Sequence, residues 1–392
     1  MNEVIIAGIG QTPVGEHWDL SLRELALLAL EQARQDSGNL QPQALYVGNM
    51  LAPQLSRQAH LGAMIVDFAG LTGIEAVTVE AAGASGGAAL RSGYLAVASG
   101  QVDVALVMGV EKFSDQIGSS VEAASATSSD SDYEAIQGLT SNAQAAMLMR
   151  RYMHEFNVPR EVFAGFALVA HANGAGNPNA MFRKAITEET YHKSGVVSDP
   201  LNMFDVAPNA DGAAAVILTR PELLPPGFPN PLVRITGSSL VTDTLALHDR
   251  PDPLTFTAAR LSVERACQKA HISPLQIDLF ELYDSYSIFA ALSIEAAGFA
   301  EKGEGWKLAQ NQGEPAPISL QGCLPISVMG GLKARGNPGG AAGVYQVVEA
   351  TQQLRGQAGS NQVPNLRRAL VQSLGGPAST AATHVLETIS PS

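Results

Sequence analysis

The sequence predicts an α/β protein built from two similar halves. Three observations carry this expectation. Short β-branched runs alternate with longer segments of helical periodicity, which is the pattern of parallel βαβ units. The alternation occurs twice, on either side of a proline-rich stretch. The chain has 392 residues, 46% of them apolar, enough to bury a large core.

In the first half, Val4–Gly10 reads as a strand and Ser21–Asp36 as a helix, with Ser21 as N-cap and Glu24 at the capping-box position. Ala44–Met50 is a second strand and His60–Leu71 a helix. Ala76–Glu80 is a third strand, Gly86–Ser99 a helix, and Val102–Gly109 a fourth strand. From Ser114 to Asn142 the pattern breaks into Ser, Ala, Asp and Gly, which marks a stretch expected to be mobile. Helical segments follow at Ala143–Phe156 and Arg160–Asn173, and Asp211–Leu218 returns to strand. Pro221, Pro225, Pro226, Pro229 and Pro231 then make a stiff segment that cannot join a central ladder. The boundary falls there, giving an N-terminal half over residues 1–222 and a C-terminal half over 232–392.

The second half repeats the scheme: strand Val233–Ser238, helix Ala258–His271, strand Asp278–Leu282, helix Ile288–Ala297. The stretches Gly83–Ala89 and Gly336–Ala342 also share the pattern GxxGGAA, about 250 residues apart, and each opens a helical segment. Duplicated α/β halves place their sites at the strand–helix turns between them.

Charge and composition exclude several classes. A net charge of −13 repels nucleic acid and anionic membrane surfaces. No apolar run reaches the ~18 residues of a membrane span. The opening MNEVIIAGIG lacks a basic region and reads as a strand, so a cytoplasmic protein is expected. Cys267 and Cys323 cannot alone form a disulfide framework or a cysteine-based zinc site, and no metal is expected. Both are expected to be buried bystanders.

Gly83-Ala84-Ser85-Gly86-Gly87 matches GxSxG between a strand and a helix, the pattern of a nucleophile elbow. Asp211 or Asp284 with His384 would complete a triad. However, His384 lies in the alternating apolar run Ala381–Ile389, a strand, where a histidine is better read as structural.

The same place carries a more specific pattern. Val79-Glu80-Ala81-Ala82-Gly83-Ala84-Ser85-Gly86-Gly87-Ala88-Ala89-Leu90 resembles the nucleophile motif of thiolases, VEAACASGxAAL, in the branch of sterol-carrier-type and archaeal acetyl-CoA acetyltransferases. The resemblance extends in family order through Ala44–Met50, Asn177-Pro178, Phe182-Arg183-Lys184, Asp199-Pro200-Leu201 and Asp211–Ala215. It continues through Gly303–Trp306 and Gly330–Gly336. It implies the thiolase fold: two duplicated βαβαβαββ halves in a five-layered αβαβα sandwich, a loop domain near 114–205, and a homodimer paired through the strand entering Gly83.

The departures from the family are concentrated at the chemistry. The position of the nucleophilic cysteine is Gly83. The family's HDCF motif, which supplies a histidine and a cysteine, is replaced by Tyr283-Asp284-Ser285-Tyr286. The histidine of its GHP motif is Asn337, which can donate a hydrogen bond but cannot take a proton near neutral pH. The candidate site is therefore Gly83, Tyr283, Ser285, Tyr286 and Asn337. The helix near Gly86 still offers N–H groups to a thioester oxygen.

Three readings follow from the resemblance. The first is a non-covalent acyl-CoA enzyme with aldolase-like C–C bond chemistry, like the steroid-side-chain aldolases of this branch, which lack the cysteine and use tyrosines. There a tyrosine of lowered pKa would act as base, and Asn337 with backbone N–H groups would stabilise an enolate. The second is a non-catalytic acyl-CoA-binding or scaffold subunit that partners a small zinc-ribbon/OB-fold protein. The third is a conventional acetyl-CoA acetyltransferase, physically disfavoured because no side chain remains to carry the acyl group. In each the ligand is a coenzyme A thioester, with no covalently bound cofactor.

Overall fold

The computed structural model describes residues 2–311 and 314–389. Strands β1 (Ile5–Gln11), β2 (Ala44–Gly48), β3 (Glu75–Val79), β4 (Ala105–Glu111), β5 (Val196–Ser198), β6 (Leu201–Asn202) and β7 (Gly212–Thr219) come from the first half. β8 (Val233–Thr242), β9 (Leu279–Glu281), β10 (Arg368–Gly375) and β11 (Thr380–Thr388) come from the second.

The duplication is written in the strand order. In the first half the sheet runs β3-β2-β4-β7-β1, parallel up to β4 and antiparallel through β7. In the second, β9 is parallel to β10, β10 antiparallel to β11, and β11 antiparallel to β8. A parallel bridge between Phe280 and Ile326 stands where a counterpart of β3 would pair. The second half therefore repeats the first with its outer strand reduced to one bridge. Two residue pairs between β1 and β8 join the halves into one nine-stranded sheet.

Helices Leu22–Asp36 and Leu61–Phe68 cover one face of the first half, and Thr257–Ala270 packs on β8 and β11 of the second. Between the halves lie the helices Ser85–Ser99 and Ala342–Leu354, which touch each other and strands of both. Three apolar cores fill the spaces between these layers. The two central helices start at the repeated glycine-rich motifs because their first turns cross at backbone distance. A Cβ on Gly86 would sit 2.9 Å from the Gly340 carbonyl oxygen, and one on Gly343 only 2.5 Å from the Gly87 nitrogen.

Most elements lie within a few residues of the expected positions. Ser21 and Glu24 make the expected capping box on the Leu22–Asp36 helix. Two differences stand out. The stretch 114–142, where the sequence pattern breaks, holds a helix at Gly118–Ala126 packed against the 52–55 turn and the next helix. Strand β10 has no counterpart in the sequence reading: its run RALVQSLG lacks alternation because both of its faces are buried.

Candidate functional site

Gly83 sits in the turn between β3 and the Ser85–Ser99 helix. Ser85 closes this turn: its hydroxyl donates to the Ala82 carbonyl at 2.6 Å and accepts from the Ala81 N–H at 2.9 Å. The Tyr283–Tyr286 segment follows β9, and Asn337 precedes the Ala342–Leu354 helix. The segment 206–210, which leads into β7, stitches these two segments together. Ala207 N–H donates to the Ser285 carbonyl (2.8 Å), Ala210 N–H to the Asn337 carbonyl (3.1 Å), and Asn337 N–H to the Pro208 carbonyl (2.9 Å).

All five candidate residues, Gly83, Tyr283, Ser285, Tyr286 and Asn337, line one pocket of about 140 Å³. The stretch 114–142 forms its other wall through Glu122, Ser125, Ser128, Thr140, Ser141 and Asn142. Sequence reasoning missed these residues because Ser, Asn and Glu in a low-periodicity stretch carry no motif.

Tyr283 fills the space that a side chain on Gly83 would need. An ideal Cβ there would lie 2.7 Å from Tyr283 Cζ, with the phenol oxygen closer still, and 2.5 Å from the Leu374 carbonyl oxygen. The phenol thus stands where a side chain at position 83 would begin. Burial pushes the Tyr283 pKa above the usual tyrosine range, and the Glu111 carboxylate pushes the same way. The neighbouring Asn337 side chain opposes them. Burial also raises Tyr286. This corrects the expectation of a tyrosine of lowered pKa acting as base: both phenols stay protonated and serve as hydrogen-bonding groups.

Tyr286 donates to Asn142 Oδ1 at 2.9 Å, and Asn142 Nδ2 donates to Glu122 Oε1 at 2.9 Å. Behind the pocket, the buried Glu111 carboxylate gathers four donors: Asn49 Nδ2 and Met50 N–H at 2.8 Å, Leu51 N–H and Gly340 N–H at 3.1 Å. It thereby ties the loop after β2 to the second half's glycine-rich turn.

The hydrolase arrangement is absent. Ser85 is spent on its own turn. His384 donates from Nε2 to the Gly87 carbonyl at 3.0 Å, and Asp211 accepts from the Phe113, Ser114 and His17 N–H groups. Asp284 accepts from Leu332 N–H at 2.7 Å. The helix N-terminus offered to a thioester oxygen is closed as well, since Gly86 and Gly87 pack on Gly340 and Gly343 and neither lines the pocket. Cys267 is buried, but Cys323 is exposed, contrary to expectation. Asn177 braces the fold by donating to the Met329 carbonyl at 2.8 Å. Among the described residues, no group of three or more His, Cys, Asp or Glu is arranged to hold a metal, and no helix is long and apolar enough to cross a membrane.

Comparison with known proteins matches residues 4–222 to the family described as "Thiolase, N-terminal domain" and residues 239–388 to "Thiolase C-terminal domain-like". An acetyl-CoA acetyltransferase of Methanothermobacter thermautotrophicus is 41% identical over 389 residues, covering 98% of this chain and 99% of its own. Sterol carrier protein 2 of Oryctolagus cuniculus is 28% identical over 317 residues, 78% of this chain and 57% of its own length. A solved structure described as "Ltp2-ChsH2(DUF35) aldolase" shares the fold with a TM-score of 0.82 at 22% identity, covering 98% of both chains.

Proposed function

This chain belongs to the thiolase superfamily, in its sterol-carrier-type and archaeal acetyl-CoA acetyltransferase-like branch, and we propose that it handles acyl-CoA thioesters without a covalent acyl intermediate. The observation that carries this reading is the Tyr283 phenol in the volume a side chain on Gly83 would need. Neither cysteine lines the pocket, and no histidine is among its lining residues. The pocket holds hydroxyl groups but no thiol to take the acyl group and no histidine to activate a hydroxyl.

In this reading a coenzyme A thioester is bound and the chemistry is aldolase-like cleavage or formation of a C–C bond. In cleavage the 3-hydroxyl gives its proton to a base, for which Glu122 is the carboxylate among the pocket's lining residues. The C–C bond breaks to leave a carbonyl product and an enolate with negative charge on the thioester oxygen. A phenol held protonated by burial is suited to donate to that oxygen. The halves 1–222, with a loop domain over 114–205, and 232–392 are the units we assign. The protein is taken to be a cytoplasmic homodimer with a small zinc-ribbon/OB-fold partner. The description of the fold neighbour, which joins an Ltp2 component to a ChsH2(DUF35) component in an aldolase, supports looking for a second protein.

Tyr283→Phe tests the reading. With a cleavable 3-hydroxyacyl-CoA, kcat should fall on the order of 10²-fold while the thioester Kd stays within a few-fold. An unchanged kcat would remove Tyr283 from the reaction. The binding-only reading is favoured by one observation: the pocket tyrosines are both held protonated and no histidine or cysteine accompanies them. Thioester binding without turnover of any 3-hydroxyacyl substrate, partner present, would select it.

A further inference from the structure

We infer that the pocket admits only a short acyl group, about the size of a four-carbon chain, and that Phe289 is the residue that sets this limit. The inference rests on the acyl-CoA reading above and specifies the acyl chain of its substrate.

Volume gives the first bound. The pocket holds about 140 Å³. An apolar cavity of about 150 Å³ takes one benzene, so about six non-hydrogen atoms fit here, the count of a 3-hydroxybutyryl group.

The walls keep that space from growing. Phe289 is buried and packs edge-on against Phe256, at 5.5 Å between ring centroids, and against Tyr286, at 4.9 Å. All three rings belong to one continuous apolar core, and Tyr286 is further held by its bond to Asn142. Phe256 does not line the pocket, so the Phe289 ring is what separates the pocket from that core. Elsewhere in the wall, Leu51 and Phe113 pack in a second core with Val121 of the Gly118–Ala126 helix. The residues flanking this helix are tied down: Gln116 Nε2 donates to the Leu55 carbonyl at 2.9 Å, and Gln54 Nε2 donates to Thr127 Oγ1 at 3.1 Å.

The chemistry of the lining agrees with the volume. Ser125, Ser128, Thr140 and Ser141 present hydroxyl groups to the pocket, and covering them with a longer alkyl chain would remove them from water without replacing their hydrogen bonds.

Calorimetry with saturated acyl-CoAs from acetyl to decanoyl tests this without requiring turnover. A chain that keeps burying methylenes gains about fourfold in affinity for each one. Here the gain should stop at about four to six carbons, and decanoyl-CoA should bind at least about tenfold more weakly than butyryl-CoA. Phe289→Ala, which frees room for about four more carbons, should move the tightest binder to octanoyl-CoA. Phe289→Leu, the milder change, should raise hexanoyl relative to butyryl binding about fourfold. Ratios within each protein cancel any general loss of affinity, and a thermal melt shows which variants fold. Affinity that stays level or keeps rising from butyryl to decanoyl in the wild type overturns this inference and leaves the acyl-CoA reading standing. So does a chain-length optimum unmoved in every variant that folds. Absence of binding to all the thioesters overturns both.

Discussion

Tyr283 and Gly83 compete for one volume: Cζ of the tyrosine stands 2.7 Å from the point where a Cβ on the glycine would lie. A side chain at position 83 and the tyrosine at 283 therefore exclude each other. Restoring one residue alone must disturb the other.

Gly83→Cys should accordingly fail twice. The new side chain meets both the phenol and the Leu374 carbonyl, so stability should drop by about 1–3 kcal/mol. Without Asn337→His the thiol stays mostly protonated, since an unperturbed cysteine has a pKa of about 8.5, and acetoacetyl-CoA cleavage should not appear. In a double-mutant cycle, Gly83→Ala with Tyr283→Leu should cost less than the sum of the single changes by about 1 kcal/mol. Measurable thiolysis by Gly83→Cys, or strict additivity in the cycle, would contradict the shared volume.

Glu111→Gln should destabilise the fold by about 1–3 kcal/mol in chemical denaturation. Burial pushes the Glu111 pKa up to about 7 against the pull of its four donors. Glutamine would turn an N–H₂ group toward a ring of N–H donors and strand at least one of them. A neutral substitution would show that this carboxylate is not what ties the loop after β2 to the second half's glycine-rich turn.

His384 sets a pH dependence. Burial pushes its pKa down to about 3, so the folded protein refuses a proton that the unfolded chain accepts near 6.5. The unfolded state binds more protons between those values, and this group's contribution to stability is lost as pH falls through that window. His384→Gln removes the effect. The stability difference between wild type and variant should shift against the wild type by at least about 1 kcal/mol between pH 7 and pH 4. A pH-independent difference would mean that the ring is not buried neutral.

Strand β3 is the outer edge of the sheet, with Glu75, Val77 and Thr78 exposed, and it leads directly into the Gly83 turn. An exposed β-branched edge needs a partner or a cover. A homodimer paired across β3 should bury more than ~2,000 Å² and run at about twice the 40.9 kDa chain mass in light scattering. A stable species at the single-chain mass would count against it.

Much of this architecture was legible in the sequence because periodicity and glycine placement are local signals. The Ser21–Glu24 box, the alternating elements and the paired GxxGGAA turns all point to structure within a few residues of themselves. The five site residues were found through motif positions, and the fold brings them to one pocket. What the sequence hid depends on distant partners. β10 has no alternation because it is buried on both faces, and the chain of bonds from Glu122 through Asn142 to Tyr286 forms only across the assembled pocket. The direction of the tyrosine pKa shifts was misread for the same reason, since burial is a property of the assembled fold.

The central claim is that a thioester is held here without forming an acyl-enzyme. Mass spectrometry of one sample, protein incubated with an acyl-CoA, sprayed first under native and then under denaturing conditions, tests it most directly. The account predicts a complex with the intact thioester in the native spectrum and the unmodified chain mass after denaturation. An acyl mass that survives denaturation would mean that some side chain takes the acyl group covalently, and the account of Gly83 and Tyr283 would be wrong.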